Sequence, residues 1–346
     1  MMINGKLLND KIIIENSKDI GRLYNKSNFG KIIKGNILEL DLLEGIFLKE
    51  EGKIQIKENK KIIDFQNLVQ TAAKKITDFE VKYLVFKDLR KRGHAVKNFS
   101  DLKGITYSIE KKDEVKKFVS VFSERDVLDL NAAIELIEYV NKKKGTLWFA
   151  ILDEEGDITY YEVSKADIKG KIKKHSFKKS KGLFLKDRVI IFDEKNSKEL
   201  LEKEFYGKFF GEGLQISLVE SVYLSEENLI DICDINEKKI AKSRIKKAAC
   251  KLQPDLETRL DVFRDLKKRG LIVKTGYKFG THFRVYTKKP DEAHAEYLVH
   301  VVKDNFKSVW AEISRAVRLA HSVNKEIVFA SVGKKIEYIR FGRLRP

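Results

Sequence analysis

The residues of this chain best suited to chemistry are Tyr286, His294 and Lys325. A histidine exchanges its proton near neutrality, its unperturbed pKa being about 6.5. A phenol titrates near 10 and serves as a base only beside cations that lower it. A lysine supplies such a charge and stabilises negative charge that builds up in a transition state. Tyr286 ends a strand-like FRVY, His294 lies eight residues on, just before AEYLVHVV, and Lys325 lies 31 residues after the histidine, where a helix gives way to IVFASV. All three fall at the ends of elements, where side chains can converge on one rim of a sheet.

The elements that must position these groups occur twice. Residues 79–98 read FEVKYLVFKDLRKRGHAVKN and residues 256–275 read LETRLDVFRDLKKRGLIVKT, while LLEGIFLKEE at 42–51 is echoed by LVESVYLSEE at 218–227. The offsets, 177 and 176, mark a duplication of a domain-sized unit rather than the short period of a solenoid. In the first copy Asp78 suits a helix cap and Gly93 a helix stop. Strands are expected at GITYSIEK, FVSVFSE, GTLWFAILDE and ITYYEVSK, with a helix over DLNAAIELIEYVNKK. The second copy repeats the plan, with Pro254 at the start of its helix. The expected fold class is α/β (α+β) in two tandem copies, each a small mixed α/β subdomain plus a mixed sheet flanked by helices. The expected boundaries are 1–72 and 73–164 for the first copy, a basic linker at 165–181, and 182–251 and 252–346 for the second.

The copies differ where chemistry is concerned. Tyr286 aligns with about Ile109, His294 with Val115 or Lys116, and Lys325 with Gly145 or, with the gap moved, Lys142. The acid–base groups are missing from the first copy. One active copy beside one architectural copy would look this way, as would two structural copies that drifted apart.

Lysine plus arginine exceeds aspartate plus glutamate by 70 to 52, a net charge of +18. That balance suits a polyanionic partner, because clustered cations release counterions from a phosphate backbone, although a charge-rich surface of both signs is the alternative. With 42% hydrophobic residues and three prolines, the chain can build real cores and has no proline-rich linker. Cys233 and Cys250 form no CxxC, which fits a reduced, intracellular setting. The opening MMINGKLLNDKIII reads as neither a signal-peptide core nor a membrane span, so a soluble, cytoplasmic protein is expected.

On FRVY, HAEYLV, AEISRAVRLAHSVNK and IVFASV, in that order and spacing, the second copy resembles the catalytic domain of the archaeal tRNA-splicing endonucleases. The tandem copy extends the likeness over essentially the whole chain, to the fused, homodimeric branch in which a degenerate first unit supports an active second one. The resemblance implies a restriction-endonuclease-like sheet, a catalytic triad at Tyr286, His294 and Lys325, and a pair of arginines, Arg318 and Arg340, that grips a bulged base. It also implies that the acidic turn with Asp153, Glu154, Glu155 and Asp157 enters a basic cleft of the partner chain. Precursor tRNA carrying a bulge-helix-bulge and a second copy of the chain are the implied partners; no metal and no other cofactor is expected.

RNA chemistry agrees with that triad. A 2′-OH can attack the adjacent phosphorus without metal if its proton is removed, the leaving 5′-oxygen is protonated and the extra charge is stabilised. His294 is the natural acid, Tyr286 then the base, and Lys325 the stabilising charge. The products would be a 2′,3′-cyclic phosphate and a 5′-OH. Two rival readings stay open: a non-catalytic RNA-binding module, and a metal-dependent DNA nuclease drawing on His282, His294, His300 and His321. Spacing argues against the latter, since no HxxxH occurs and His300 sits inside the apolar run YLVHVV.

Overall fold

The structure is a computed structural model that describes residues 2–111 and 114–346. Its contacts divide the chain into two compact units. The first runs through Asp126 and adds Glu135–Val163 and Arg343–Pro346; the second takes Val127–Ile134 and Ser164–Gly342.

The first unit begins with a six-stranded sheet in the order Lys31–Ile33, Ile37–Asp41, Lys11–Ile14, Ile3–Leu8, Ile54–Glu58, Lys61–Ile62. Alternation builds it, since KIII and ILELD bury every second side chain. Helix Leu42–Glu50 opens on a capping box: the Asp41 carboxylate accepts from the Glu44 amide at 2.8 Å, and the Glu44 carboxylate accepts from the Asp41 amide at 3.1 Å. A second sheet follows, introduced by helix α1 (Phe79–Lys91) and built from β1 (Val96–Asn98), β2 (Tyr107–Ile109), β3 (Lys117–Ser123), β4 (Thr146–Leu152) and β5 (Ile158–Lys165), paired in that order. Only β3 and β4 run parallel, which requires the crossover helix α2 (Leu130–Lys142) between them.

The second unit repeats this plan. Its first sheet runs Lys208–Phe210, Gly213–Ser217, Arg188–Ile191, Ser180–Leu185, Ile230–Cys233, and helix Leu218–Glu226 opens on a capping box made by Ser217 and Glu220. Helix α3 (Leu256–Lys268) leads to β6 (Ile272–Thr275), β7 (Phe283–Tyr286), β8 (Tyr297–Lys303), helix α4 (Trp310–Ser322), β9 (Glu326–Val332) and β10 (Ile336–Leu344). The strands pair in chain order, with β8 and β9 parallel. Val273, Phe283, Val285, Val299 and Val328 share a core with Leu260 and Phe263 of α3, so this face of the sheet is the α3 face. By alternation Arg284, Tyr286 and Ile327 point to the opposite face, which α4 covers through Trp310 and its neighbour Phe341.

Local signals played out unevenly. Gly93 and Gly270, at φ +89° and +72°, stop the two matching helices. Asp78 precedes α1 in a left-handed conformation and makes no side-chain cap bond, and Pro254 lies two residues ahead of α3 rather than inside its first turn. The lysine-rich segment at 165–181 keeps most of its lysines exposed, yet Ile168 and Phe177 are buried in the core of the second unit. Gly170 and Ile172 donate to the carbonyls of Arg269 and Gly270 at 2.9 and 3.0 Å. A Cβ on Gly170 would stand 2.0 Å from the Gly270 carbonyl oxygen, so only glycine permits this approach. Among the described residues no helix is long and apolar enough to cross a membrane.

Candidate active site

The sheet register brings Tyr286 and Lys325 to one rim. Val285 pairs with Tyr297 across β7 and β8, and Tyr297 with Glu326 across β8 and β9. Glu296, one residue before β8, therefore joins the two sides: its amide donates to the Val285 carbonyl at 3.1 Å, and its carbonyl accepts from the Glu326 amide at 2.9 Å. Tyr286 and Lys325 flank that position from β7 and from the start of β9. Their backbones stand about two strand spacings apart, roughly 10 Å, a gap that a phenol and a lysine side chain can close from both sides.

Each group is held differently. The Tyr286 ring, 8% exposed, packs with Ile272 of β6 and with Ala295, and Ile172 and Phe205 lean on the same cluster. Since Ala295 is clamped there, its exposed neighbour His294 is anchored beside the tyrosine although it rides on a loop. Lys325 is half-buried; its Nζ donates to the Val323 carbonyl at 3.1 Å and lies 5.5 Å from the centre of the Phe279 ring. Asn324, in a left-handed conformation at φ +53°, turns the chain from α4 into β9 and so sets the lysine at the strand's first step. A tyrosine, an exposed histidine and a lysine at one rim can together move protons and stabilise an anion.

The first copy supplies an internal comparison, and its register corrects the sequence alignment. Ile109 pairs with Lys117 as Val285 pairs with Tyr297, so Tyr286 corresponds to Glu110 and not to Ile109. His294, three residues ahead of β8, corresponds to Glu114, three ahead of β3, and not to Val115 or Lys116. Lys325 corresponds to Gly145, each following a left-handed residue and each one step ahead of its strand. The Tyr286 match slipped because the segment between β1 and β2 is one residue longer than that between β6 and β7, and the His294 match because the segment between β2 and β3 is shorter than that between β7 and β8; strand register, invisible in the sequence, decides both. There Glu110 pairs with Lys116, and Glu114 with Lys111 and Lys117; the last two hold the Glu114 carboxyl down at about 2. The first copy thus puts two ion-paired carboxylates and a glycine where the second has Tyr286, His294 and Lys325.

Of the two arginines, Arg318 is exposed on α4. Arg340 leaves β10 on the face that carries Tyr338, with Nη1 3.5 Å from a Glu326 carboxylate oxygen. The acidic turn is a tight, exposed hairpin between β4 and β5: Asp153 Oδ1 accepts from the amides of Glu155 and Asp157 at 3.1 and 2.8 Å, and Glu154 pairs with Arg125 at 2.9 Å. His282 and His300 form a half-buried pair with ring centres 4.6 Å apart, away from the rim, and His321 is exposed on α4. Among the described residues, no group of three or more His, Cys, Asp or Glu side chains is placed to hold a metal ion.

Sequence reading passed over Arg284, although FRVY places it two residues before Tyr286 and hence on the same face of β7. Its Cζ lies 5.8 Å from the Tyr286 ring centre.

Comparison with known proteins accounts for both copies. The model of the tRNA intron endonuclease catalytic C-terminal domain matches residues 79–160 and again 256–338, and that of the tRNA intron endonuclease N-terminal domain matches 3–69 and 180–244. A tRNA-splicing endonuclease of Methanococcoides burtonii is 34% identical over 99% of this chain and 100% of its own length. Those of Methanosarcina mazei and Methanosarcina barkeri are likewise 34% identical, covering 99% and 98% of this chain and 99% of each relative. Matched twice over by both domain models and along its full length by these relatives, the chain belongs to the tRNA intron endonuclease family of RNA-cleaving enzymes.

Proposed function

We propose that this protein excises introns from precursor tRNA by cutting both strands of a bulge-helix-bulge, with the 2′-OH at each cut as nucleophile. The observation that carries this reading is the convergence of Tyr286, His294 and Lys325 on one rim of the second-copy sheet, set against Glu110, Glu114 and Gly145 in the first. In the proposed reaction Tyr286 removes the 2′-OH proton, the 2′-oxygen bonds to phosphorus, and the 5′-oxygen leaves with a proton from His294. Lys325 stabilises the extra negative charge on the phosphoryl oxygens. The ends are a 2′,3′-cyclic phosphate and a 5′-OH, and no step calls for a metal. Proton transfer by a positioned acid and base contributes about 10²–10⁴-fold each.

Bulges suit this enzyme class because splayed nucleotides are open to side chains, whereas an A-form stem is read mainly by shape. Arg318 and Arg340 would hold such a nucleotide through guanidinium planes that stack on a base and pair with phosphate. Two cuts at a fixed separation suit two sites related by a twofold axis, so the functional form is a homodimer with one site in each second copy. Asp153, Glu154, Glu155 and Asp157 would dock on a basic surface of the partner.

The test is incubation in EDTA with end-labelled bulge-helix-bulge RNA, alongside the same RNA carrying 2′-deoxy residues at the cut positions. Two cuts leaving cyclic phosphate, lost with the deoxy substitution, support the reading. Retained binding without cleavage would move the protein to the RNA-binding alternative, and cleavage that depends on added metal would favour the nuclease one.

A further inference from the structure

A cavity of about 600 Å³ opens beside the rim within the second unit. Arg284 and Lys274 line it from the sheet, Lys208 and Phe205 from the preceding subdomain, and Pro290 from the loop that leads to His294. Its size falls in the range of roughly 300–1,000 Å³ that suits small ligands or single nucleotides. Of the carboxylates in its wall, Glu202 and Asp291 are exposed, and Glu220 is engaged by the amides of Gly207 and Ser217 at 3.0 and 2.8 Å.

The duplication separates architecture from function here. Lys274 Nζ donates to the carbonyls of Phe205 and Gly207, and the Gly207 amide donates to Glu220. The first copy keeps the same strut: Lys97 Nζ donates to the Gly30 carbonyl at 2.7 Å, and the Gly30 amide to Glu44 at 2.8 Å. Arg284 has no such counterpart. Lys274 pairs with Arg284 in register as Lys97 pairs with Ser108, so the first copy puts a small buried serine where the second puts a guanidinium. Arg284 thus differs between the copies just as Tyr286, His294 and Lys325 do. Its Nε is buried without a hydrogen-bond partner, a costly state for a charged donor unless an acceptor arrives.

Accepting that the rim cuts RNA, we infer that Arg284 and this cavity form a subsite for a nucleotide flanking the cut, with the guanidinium on its phosphate. The subsite lies on the β6 side of Tyr286, opposite to Lys325, so it holds one particular side of the scissile linkage. Guanidinium suits the task because its fixed fork of donors matches two phosphate oxygens.

Single neutral methylphosphonate linkages, placed one at a time within a few nucleotides of each cut, test this with wild-type protein, Arg284→Ser and Arg284→Lys. Affinity is measured across a salt series, and cleavage in single turnover. Arg284→Ser is expected to weaken binding about tenfold and to lower the salt slope by about one charge, with Arg284→Lys restoring the slope. At one linkage the methylphosphonate penalty seen with wild type should vanish in Arg284→Ser. If that variant loses its thermal transition, Arg284→Gln takes its place. Equal methylphosphonate penalties in wild type and variant at every linkage overturn the subsite while leaving RNA cleavage intact. Failure of the wild type to cleave any of these RNAs overturns the cleavage reading itself and the subsite with it.

Discussion

Lys325 and Gly145 occupy the same place in the two copies, yet Gly145 could not be exchanged for a lysine. A Cβ at Gly145 would stand 2.6 Å from the Phe118 ring and 2.8 Å from the Lys116 carbonyl oxygen, both closer than real contacts allow. The first copy has filled with aromatic packing the space that the second gives to Lys325: Phe118 stacks edge-on against Phe99 and Tyr139. At this position the absence of a side chain and the aromatic packing of the core go together.

Gly145→Lys is therefore expected to destabilise the first copy by about 1–3 kcal/mol, the usual cost of overpacking, and to create no second site. Urea unfolding followed by aromatic fluorescence reads the first effect. A variant as stable as wild type would show that Phe118 yields freely.

Lys325→Ala should behave in the opposite way. The side chain is half-buried and makes one hydrogen bond to a carbonyl, so stability should change by no more than about 1 kcal/mol. Cleavage in single turnover should fall about 10²–10³-fold, the loss typical of one group that stabilises transition-state charge, with RNA affinity little altered. Tyr286→Phe and His294→Ala should lose comparable rate. A variant that binds poorly but cleaves at the wild-type rate when saturated would make Lys325 a binding group.

Neutralising the acidic turn, with Asp153, Glu154, Glu155 and Asp157 changed to the matching amides, should lower the apparent mass in sedimentation equilibrium without lowering the thermal transition of the monomer. Asp153 accepts two amides of its own turn, so Asp153→Asn is the change most prone to disturb the hairpin; the other three carboxylates extend from it exposed. Undiminished self-association in the quadruple variant would remove the turn from assembly.

The strut that recurs as Lys97, Gly30, Glu44 and as Lys274, Gly207, Glu220 predicts a loss of stability unrelated to chemistry. Burial lowers the affinity of Lys97 and Lys274 for their protons, and the nearby Glu44 and Glu220 carboxylates oppose that shift. Lys97→Met removes the hydrogen bond to the Gly30 carbonyl and one of the positive charges near the buried Glu44, and should cost about 1–3 kcal/mol in unfolding experiments. Saturated cleavage by the folded fraction should stay at the wild-type rate. A loss of rate with stability unchanged would give the first copy a chemical role.

The duplication, the α/β order and the three rim residues were all legible in the sequence, because they depend on periodicity and on residue types at element ends. What escaped depends on pairing. Glu110 rather than Ile109 faces the Tyr286 position because β2 and β3 pair with a particular register, which no local pattern encodes. Arg284 was passed over because an arginine inside FRVY looks like an ordinary polar step of a half-buried strand, and its unpartnered Nε exists only once the subdomain closes over it. Ile168 and Phe177 likewise looked like incidental apolar residues in a lysine run until the second unit's core enclosed them.

His282 predicts acid sensitivity of the second unit. Its side chain is 16% exposed, its Nδ1 accepts from the Val301 amide at 2.8 Å, and its Nε2 lies 3.3 Å from an Asp255 carboxylate oxygen. Burial, and then the charges of His300 and Arg259, push its pKa down to about 4 against the pull of Asp255. In the unfolded chain the same imidazole titrates near 6.5. Between those values the unfolded state binds the proton and the folded state does not, so the contribution of neutral His282 is complete above about pH 6.5 and is lost as pH falls toward 4. From pH 7.5 to 5 the loss is about 2 kcal/mol, and His300, also lowered chiefly by burial, adds to it with the same sign. His282→Asn offers a carbonyl oxygen to the Val301 amide without a titrating group. Urea titrations at pH 7.5 and 5 should therefore show wild type losing about 2 kcal/mol more than the variant between the two conditions. Equal losses would mean that His282 takes up its proton as readily in the folded protein as in the unfolded one.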